Sequence, residues 1–161
     1  MEVEMKIRGL MVDPVTNTPI VVLKDLSGNA ILPIWVGIYE ANAIALEIEK
    51  IATPRPMTHD LIKILLLGLD TGIRKVVVSE LKDDTFYAVI WLDKNGELIS
   101  VDSRPSDALA LALRLDCPIY VDDSVLKNSK ASSTAADKVS NEELKRWLEG
   151  LNDEDLGRYK M

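Results

Sequence analysis

The chain holds one cysteine, one histidine and no basic run in 161 residues, and its aromatic residues amount to only 5%. With Cys117 alone, no disulfide can form within the chain, and a reducing, cytoplasmic setting is expected. Cys117 lies between a helix end and Pro118, where a small core residue is the natural reading. No Cys/His spacing suits zinc, no glycine-rich phosphate loop appears, and no serine-hydrolase elbow is present. Any imidazole base must be His59. No apolar run is long enough to span a bilayer, and residues 1–6 lack the basic and apolar regions of a signal peptide, so no membrane partner is expected. The net charge of −7 argues against strong non-specific binding of nucleic acid, which needs a basic face. Trp35, Trp91, Phe86 and Tyr87 fall inside strand-like segments and read as core rather than as a base-stacking platform.

What remains is an ordinary globular composition, 47% hydrophobic and 28% charged, in a chain of about one domain. Strands are predicted at 2–13, 20–25 and 30–36, with a turn at Ser27-Gly28-Asn29; the third is mostly apolar and reads as central. Apolar residues then take helical spacing from 38 to 51, with Ala41, Ile44, Ala45 and Ile48 on one face. A second helix starts at Thr58, read as its N-cap. Strands at 73–81, 85–93 and 97–102 follow, with turns at Asp83-Asp84 and Lys94-Asn95-Gly96. An Ala/Leu helix and a last strand at 118–121 complete the pattern. Residues 127–139 are small, polar and aperiodic, and read as a flexible connection. Ser140 with Glu143 forms a capping-box pattern ahead of Leu144, Trp147, Leu148 and Leu151. Residues 140–161 therefore read as an amphipathic helix and a polar tail.

Ala43-Ile44-Ala45-Leu46 matches Ala108-Leu109-Ala110-Leu111 65 positions later (108 minus 43), and the same offset lays Ile34-Trp35-Val36 on Ile99-Ser100-Val101. This predicts an internal repeat, 2–52 and 72–116, within a domain of residues 1–126. The expected class is α+β: duplicated β-β-β-α units forming a mixed, largely antiparallel sheet with helices packed on it, plus a short C-terminal helix.

The chemistry concentrates at two helix starts. Pro105 suits a first helical position, and Ser106 and Asp107 fall where free N–H groups favour oxygen and negative charge. Asp102, Asp107, Glu40 and Asp60 stand at strand ends or helix starts and are the candidate oxygen ligands for Mg²⁺ or Mn²⁺. His59 is the candidate base, with Asp107 among the catalytic residues. Arg55 and Arg104, each ahead of a proline, would offset charge developing on a phosphodiester. The plainer alternative makes these arginines structural partners of the same acids.

Several segments together resemble the bifunctional nuclease domain family, formerly a domain of unknown function. They are Leu32-Pro33-Ile34-Trp35-Val36-Gly37 with Glu40-Ala41, then Arg55-Pro56-Met57-Thr58-His59-Asp60-Leu61, and Phe86-Tyr87-Ala88. Asp102-Ser103-Arg104-Pro105-Ser106-Asp107-Ala108 and Pro118-Ile119-Tyr120-Val121 complete the set, which spans most of residues 1–126. The resemblance implies an α+β fold, activity on DNA and RNA, and a homodimer. Two functions of different kinds therefore stand open. One is a metal-dependent nuclease; the other is a non-catalytic homo-oligomeric module recognising a small anion or a protein. The catalytic one requires the two corners to converge, and fails if His59 and Asp102 lie on opposite sides of the sheet.

Overall fold

Strand pairing organises the chain. The computed structural model describes residues 1–27 and 30–131, with backbone alone for 130 and 131. Seven strands and four helices are found among the described residues. They run β1 (Glu2–Val12), β2 (Pro19–Asp25), β3 (Ile31–Trp35), α1 (Ile38–Ile48), α2 (Thr58–Gly68), β4 (Gly72–Lys82), β5 (Thr85–Lys94), β6 (Glu97–Ser103), α3 (Pro105–Leu115), β7 (Ile119–Asp122) and α4 (Asp123–Ala131). One sheet holds all seven strands in the order β3-β2-β1-β7-β4-β5-β6. Every pairing is antiparallel except β4 with β7, which is parallel. The fold is α+β with a mixed sheet.

Local chemistry sets the turns. Asp83 and Asp84 both have positive φ (51° and 60°), as do Asn95 and Gly96 (53° and 87°). Those are the left-handed conformations that two-residue hairpins between twisted strands require. Asp93 accepts the Gly96 N–H at 3.0 Å and steadies the second of them. At the end of α3, Asp116 takes the left-handed position (φ 53°) that stops the helix before Pro118.

The sheet is covered by helices on one face. Leu23, Leu32 and Ile34 from one half and Val76, Val78 and Ile90 from the other point into the same core as Ala41 and Ile44 of α1 and Val125 of α4. Helix α3 lies at its centre, with Ala108, Leu109, Ala110, Leu111 and Ala112 all buried. Small alanines let α3 approach the sheet closely, and the fully buried Leu109 contributes about 1.5–3 kcal/mol of transfer free energy. The opposite face carries a smaller cluster of Met11, Ile20 and Val22.

Four expectations change. Trp35 and Tyr87, read as core, are exposed (40% and 41%) at or near the ends of their strands. The third strand is an edge strand, not a central one, and Pro33 within it fits an edge, where a missing N–H does the least harm. Met57, not Thr58, occupies the N-cap of α2, because Asp60 at the third helical position accepts the Met57 N–H at 3.0 Å. Helix α4 runs to Ala131, so the first residues of the expected connection are helical. The rest of that connection, the helix expected at 140–151 and the tail lie outside the described residues, as do Gly28 and Asn29 of the first turn.

Candidate functional site

The starts of α1, α2 and α3 meet on the helical side of the sheet. Arg104 is the N-cap of α3, with extended backbone (φ −71°, ψ 145°), and Pro105 follows at the first helical position. That arrangement puts Asp107 in the first turn, beside Arg104. Asp107 accepts two bonds from the Arg104 guanidinium, Nε to Oδ2 at 2.9 Å and Nη2 to Oδ1 at 3.2 Å. Nη1 of Arg104 reaches across to Glu40 Oε1 at 2.8 Å. Glu40 sits in the first turn of α1, and its carboxylate folds back over Gly37 into space that a Cβ there would occupy.

From the third helix start comes His59. Its Nε2 lies 2.9 Å from Asp107 Oδ1, joining residues 48 positions apart. The imidazole is nearly enclosed, 12% exposed, while the Arg104 side chain is 63% exposed. Partial burial opposes ionisation of Asp107, but hydrogen bonds from Arg104 and His59 outweigh it and hold its carboxyl below the usual range. Glu40 is held low by its own backbone N–H and by Arg104. Arg104 is raised further by Asp107 and Glu40. Ionised Asp107 can only accept, so Nε2 of His59 is the donor in this contact.

Other expected residues stand apart from this cluster. Asp60 accepts the Met57 N–H and a 2.7 Å bond from Arg114, and both lower its carboxyl. Asp102 pairs opposite Val89 on β6, one residue on from Val101, which shares a face with the core residue Ile90. Strand alternation therefore turns Asp102 to the face away from the helices, opposite His59, and no hydrogen bond or ion pair among the described residues joins it to the others; the catalytic site that included Asp102 fails, and only His59, Asp107, Arg104 and Glu40 remain together. Arg55 is exposed in the segment before α2, and its guanidinium has no partner among the described residues. The four carboxylates thus do not form one donor set. Among the described residues, no three or more His, Cys, Asp or Glu are gathered as a metal ion would need. Glu40 and Asp107 do share one centre, but Arg104 already fills it. The cluster as it stands fits a guanidinium better than a divalent cation.

Arg114 escaped the sequence reading. It is the one charged side chain in the buried run of α3, and besides Asp60 it donates to Ala110 O at 3.0 Å and to Ala43 O at 2.9 Å. It thereby fastens α1, α2 and α3 together just behind the cluster. An arginine within an otherwise Ala/Leu helix was the available signal. Cys117 is chemically quiet, with burial pushing its thiol up to about 11.

Comparison with known proteins adds to this geometry. The model of the bifunctional nuclease domain matches residues 21–134. An uncharacterized protein of Mycobacterium tuberculosis is 37% identical over 162 residues, covering 95% of this chain and 97% of its own length. Bifunctional nuclease 1 of Oryza sativa subsp. japonica is 31% identical over 113 residues, 68% of this chain and 34% of the rice protein. Bifunctional nuclease 1 of Arabidopsis thaliana is 30% identical over 107 residues, 64% and 33% of the two chains. The matching part of this chain spans about a third of the length of these two plant proteins. No helix among the described residues is long and apolar enough to cross a membrane.

Proposed function

The chain belongs to the bifunctional nuclease domain family, and from that premise we propose that it hydrolyses phosphodiester bonds in DNA and RNA at the cluster where α1, α2 and α3 begin. The observation that carries this reading is the 2.9 Å contact between His59 Nε2 and Asp107 Oδ1. An ionised aspartate behind an imidazole fixes its tautomer and stabilises the imidazolium that forms when the ring takes a proton. In this role His59 accepts the proton of the attacking water, or of a ribose hydroxyl in RNA, through Nδ1. The exposed Arg104 guanidinium faces the non-bridging phosphate oxygens and offsets the charge that develops on them. Glu40 and Asp107 hold Arg104 in place until phosphate competes with Glu40 for Nη1.

A second reading is favoured by one feature of the same cluster. Arg104 is satisfied by two carboxylates in the absence of substrate, which is what a structural clasp between helix starts would look like. In that case the domain is a non-catalytic module that binds an anion or a protein.

One experiment separates the two. The full chain is incubated with single- and double-stranded DNA and RNA, with Mg²⁺, with Mn²⁺ and with a chelator, beside His59→Ala and Asp107→Asn. Loss of a general base should lower cleavage by about 10²–10⁴-fold in His59→Ala. Cleavage undiminished in both variants, or no cleavage by the unaltered chain under any of these conditions, rejects the catalytic assignment. The metal arms test the Mg²⁺ or Mn²⁺ dependence separately from the acid–base role.

A further inference from the structure

An aromatic ring stands bare beside the cluster. Helix α1 turns by about 100° per residue, and Ala41, Ile44, Ala45 and Ile48 form its inward face. Glu40, one step back from Ala41, sends its carboxylate sideways to Arg104. Tyr39, a second step back, falls on the outer side of the helix. It is 85% exposed, so its ring is open to solvent on nearly all sides. Met57, the N-cap of α2 and two residues ahead of His59, is 45% exposed.

Single exposed apolar residues are ordinary on a protein surface. Tyr39 differs in its neighbour. Glu40, the next residue, holds Arg104 Nη1 at 2.8 Å and is the group that phosphate would displace. A phosphate in that position brings an adjoining base within reach of the Tyr39 ring. Tyr87 is exposed as well, but Phe86 and Ala88 on either side of it face the main core. Tyr87 therefore lies on the side of the sheet away from the helices, with Glu80 directly opposite it and the Arg104 cluster on the other side.

Charge decides what such a surface takes. With a net charge of −7 and no basic run, the chain can neutralise few phosphates, and long contact along a duplex backbone gains little. Stacking on an aromatic ring is a contact that an acidic protein can still offer, and it suits every base because every base has a π face. Within a duplex both faces of a base are covered by its neighbours, so only an unpaired base can use the ring. We propose that the site takes single-stranded or unpaired nucleic acid, one base stacking on Tyr39 beside the phosphate that Arg104 holds. Tyr39 is then a specificity-determining residue. The proposal rests on Arg104 as the phosphate contact of the reading above, and not on His59 as a base.

Fluorescence anisotropy tests it. A short labelled single strand of mixed sequence, and a blunt duplex of the same sequence, are titrated with the full chain carrying His59→Ala, so that the probe is not consumed. The single strand should bind more tightly than the duplex. Adding Tyr39→Ala should weaken single-strand binding by roughly 5- to 150-fold, the worth of one base–aromatic stack, and leave duplex binding unchanged. Tyr39→Trp should keep the affinity, whereas Tyr39→Leu, apolar but without a π face, should not. Circular dichroism checks that each variant folds. Unchanged single-strand binding in Tyr39→Ala, full affinity in Tyr39→Leu, a duplex bound as well as the single strand, or no binding of either probe overturns the proposal. Stacking on Tyr39 by a chain that cleaves nothing would reject the catalytic assignment and leave this one standing. Cleavage of a single strand undiminished by Tyr39→Ala would do the reverse.

Discussion

Arg114 has 3% of its side chain exposed, and its guanidinium is divided among Asp60 and the carbonyls of Ala43 and Ala110. Removing one partner of such a pair leaves the other short of its hydrogen bonds, at a cost larger than the intact pair is worth. Arg114→Met should therefore destabilise the protein by about 2–4 kcal/mol, read from urea unfolding midpoints. Asp60→Asn, whose carboxylate is one-third exposed, should cost less. A smaller change belongs to Gly37. Its replacement by alanine puts a methyl where the Glu40 carboxylate lies, so Glu40 must swing off Arg104. The expected result is a modest loss of stability, within about 1 kcal/mol for an exposed pair, and an Arg104 left with Asp107 alone. Local sequence could place Glu40, Arg104 and Asp107 at helix starts, but it could not show that they meet. The His59–Asp107 pair spans 48 positions and the Arg114–Asp60 pair 54, and no local window contains both members of either.

Element by element, periodicity was a good guide because alternation and helical spacing are set by short-range geometry. The strands from β4 to β6 start and stop within a residue or two of where alternation and turn residues put them, and α3 begins at Pro105 as its chemistry required. The misplacement of β3 came from a different source. Ile31–Trp35 has the composition of an interior strand, yet only Leu32 and Ile34 are buried, on one face, while Trp35 stands exposed and donates to Asp13 at 2.8 Å. Strand order follows from pairings between distant segments, and the one local sign of an edge in this segment was Pro33. Helix α3 provides the matching test of packing. Leu109 is fully buried between the neighbouring helices and the sheet, so Leu109→Ala should lower stability by about 2–5 kcal/mol through lost transfer energy and the cavity left behind. Thermal or denaturant unfolding would measure it.

For the molecule as a whole, acid should be the weak direction. Asp13, Glu40, Asp60, Asp93, Asp107 and Asp122 all titrate below their ordinary values, 3.8 for aspartate and 4.5 for glutamate. A carboxyl with a lower pKa folded than unfolded stabilises the fold in full above its unfolded value. That contribution drains away as pH falls through the folded one. The melting temperature should thus be level from neutrality to about pH 5 and fall progressively below about 4.5. Asp107→Asn should show a shallower fall, and added salt should blunt the share that comes from exposed pairs. A melting temperature that rises on acidification below pH 4.5 would contradict this account.

Pro33 gives the sheet a polarity of its own. It removes an N–H from the β3 margin, while β6 keeps its full row of backbone groups. Growth of a fibre by strand addition requires two cohesive margins on every unit, and this chain has one impaired and one intact. Among the described residues, strand addition at the β3 margin is therefore disfavoured relative to the β6 margin.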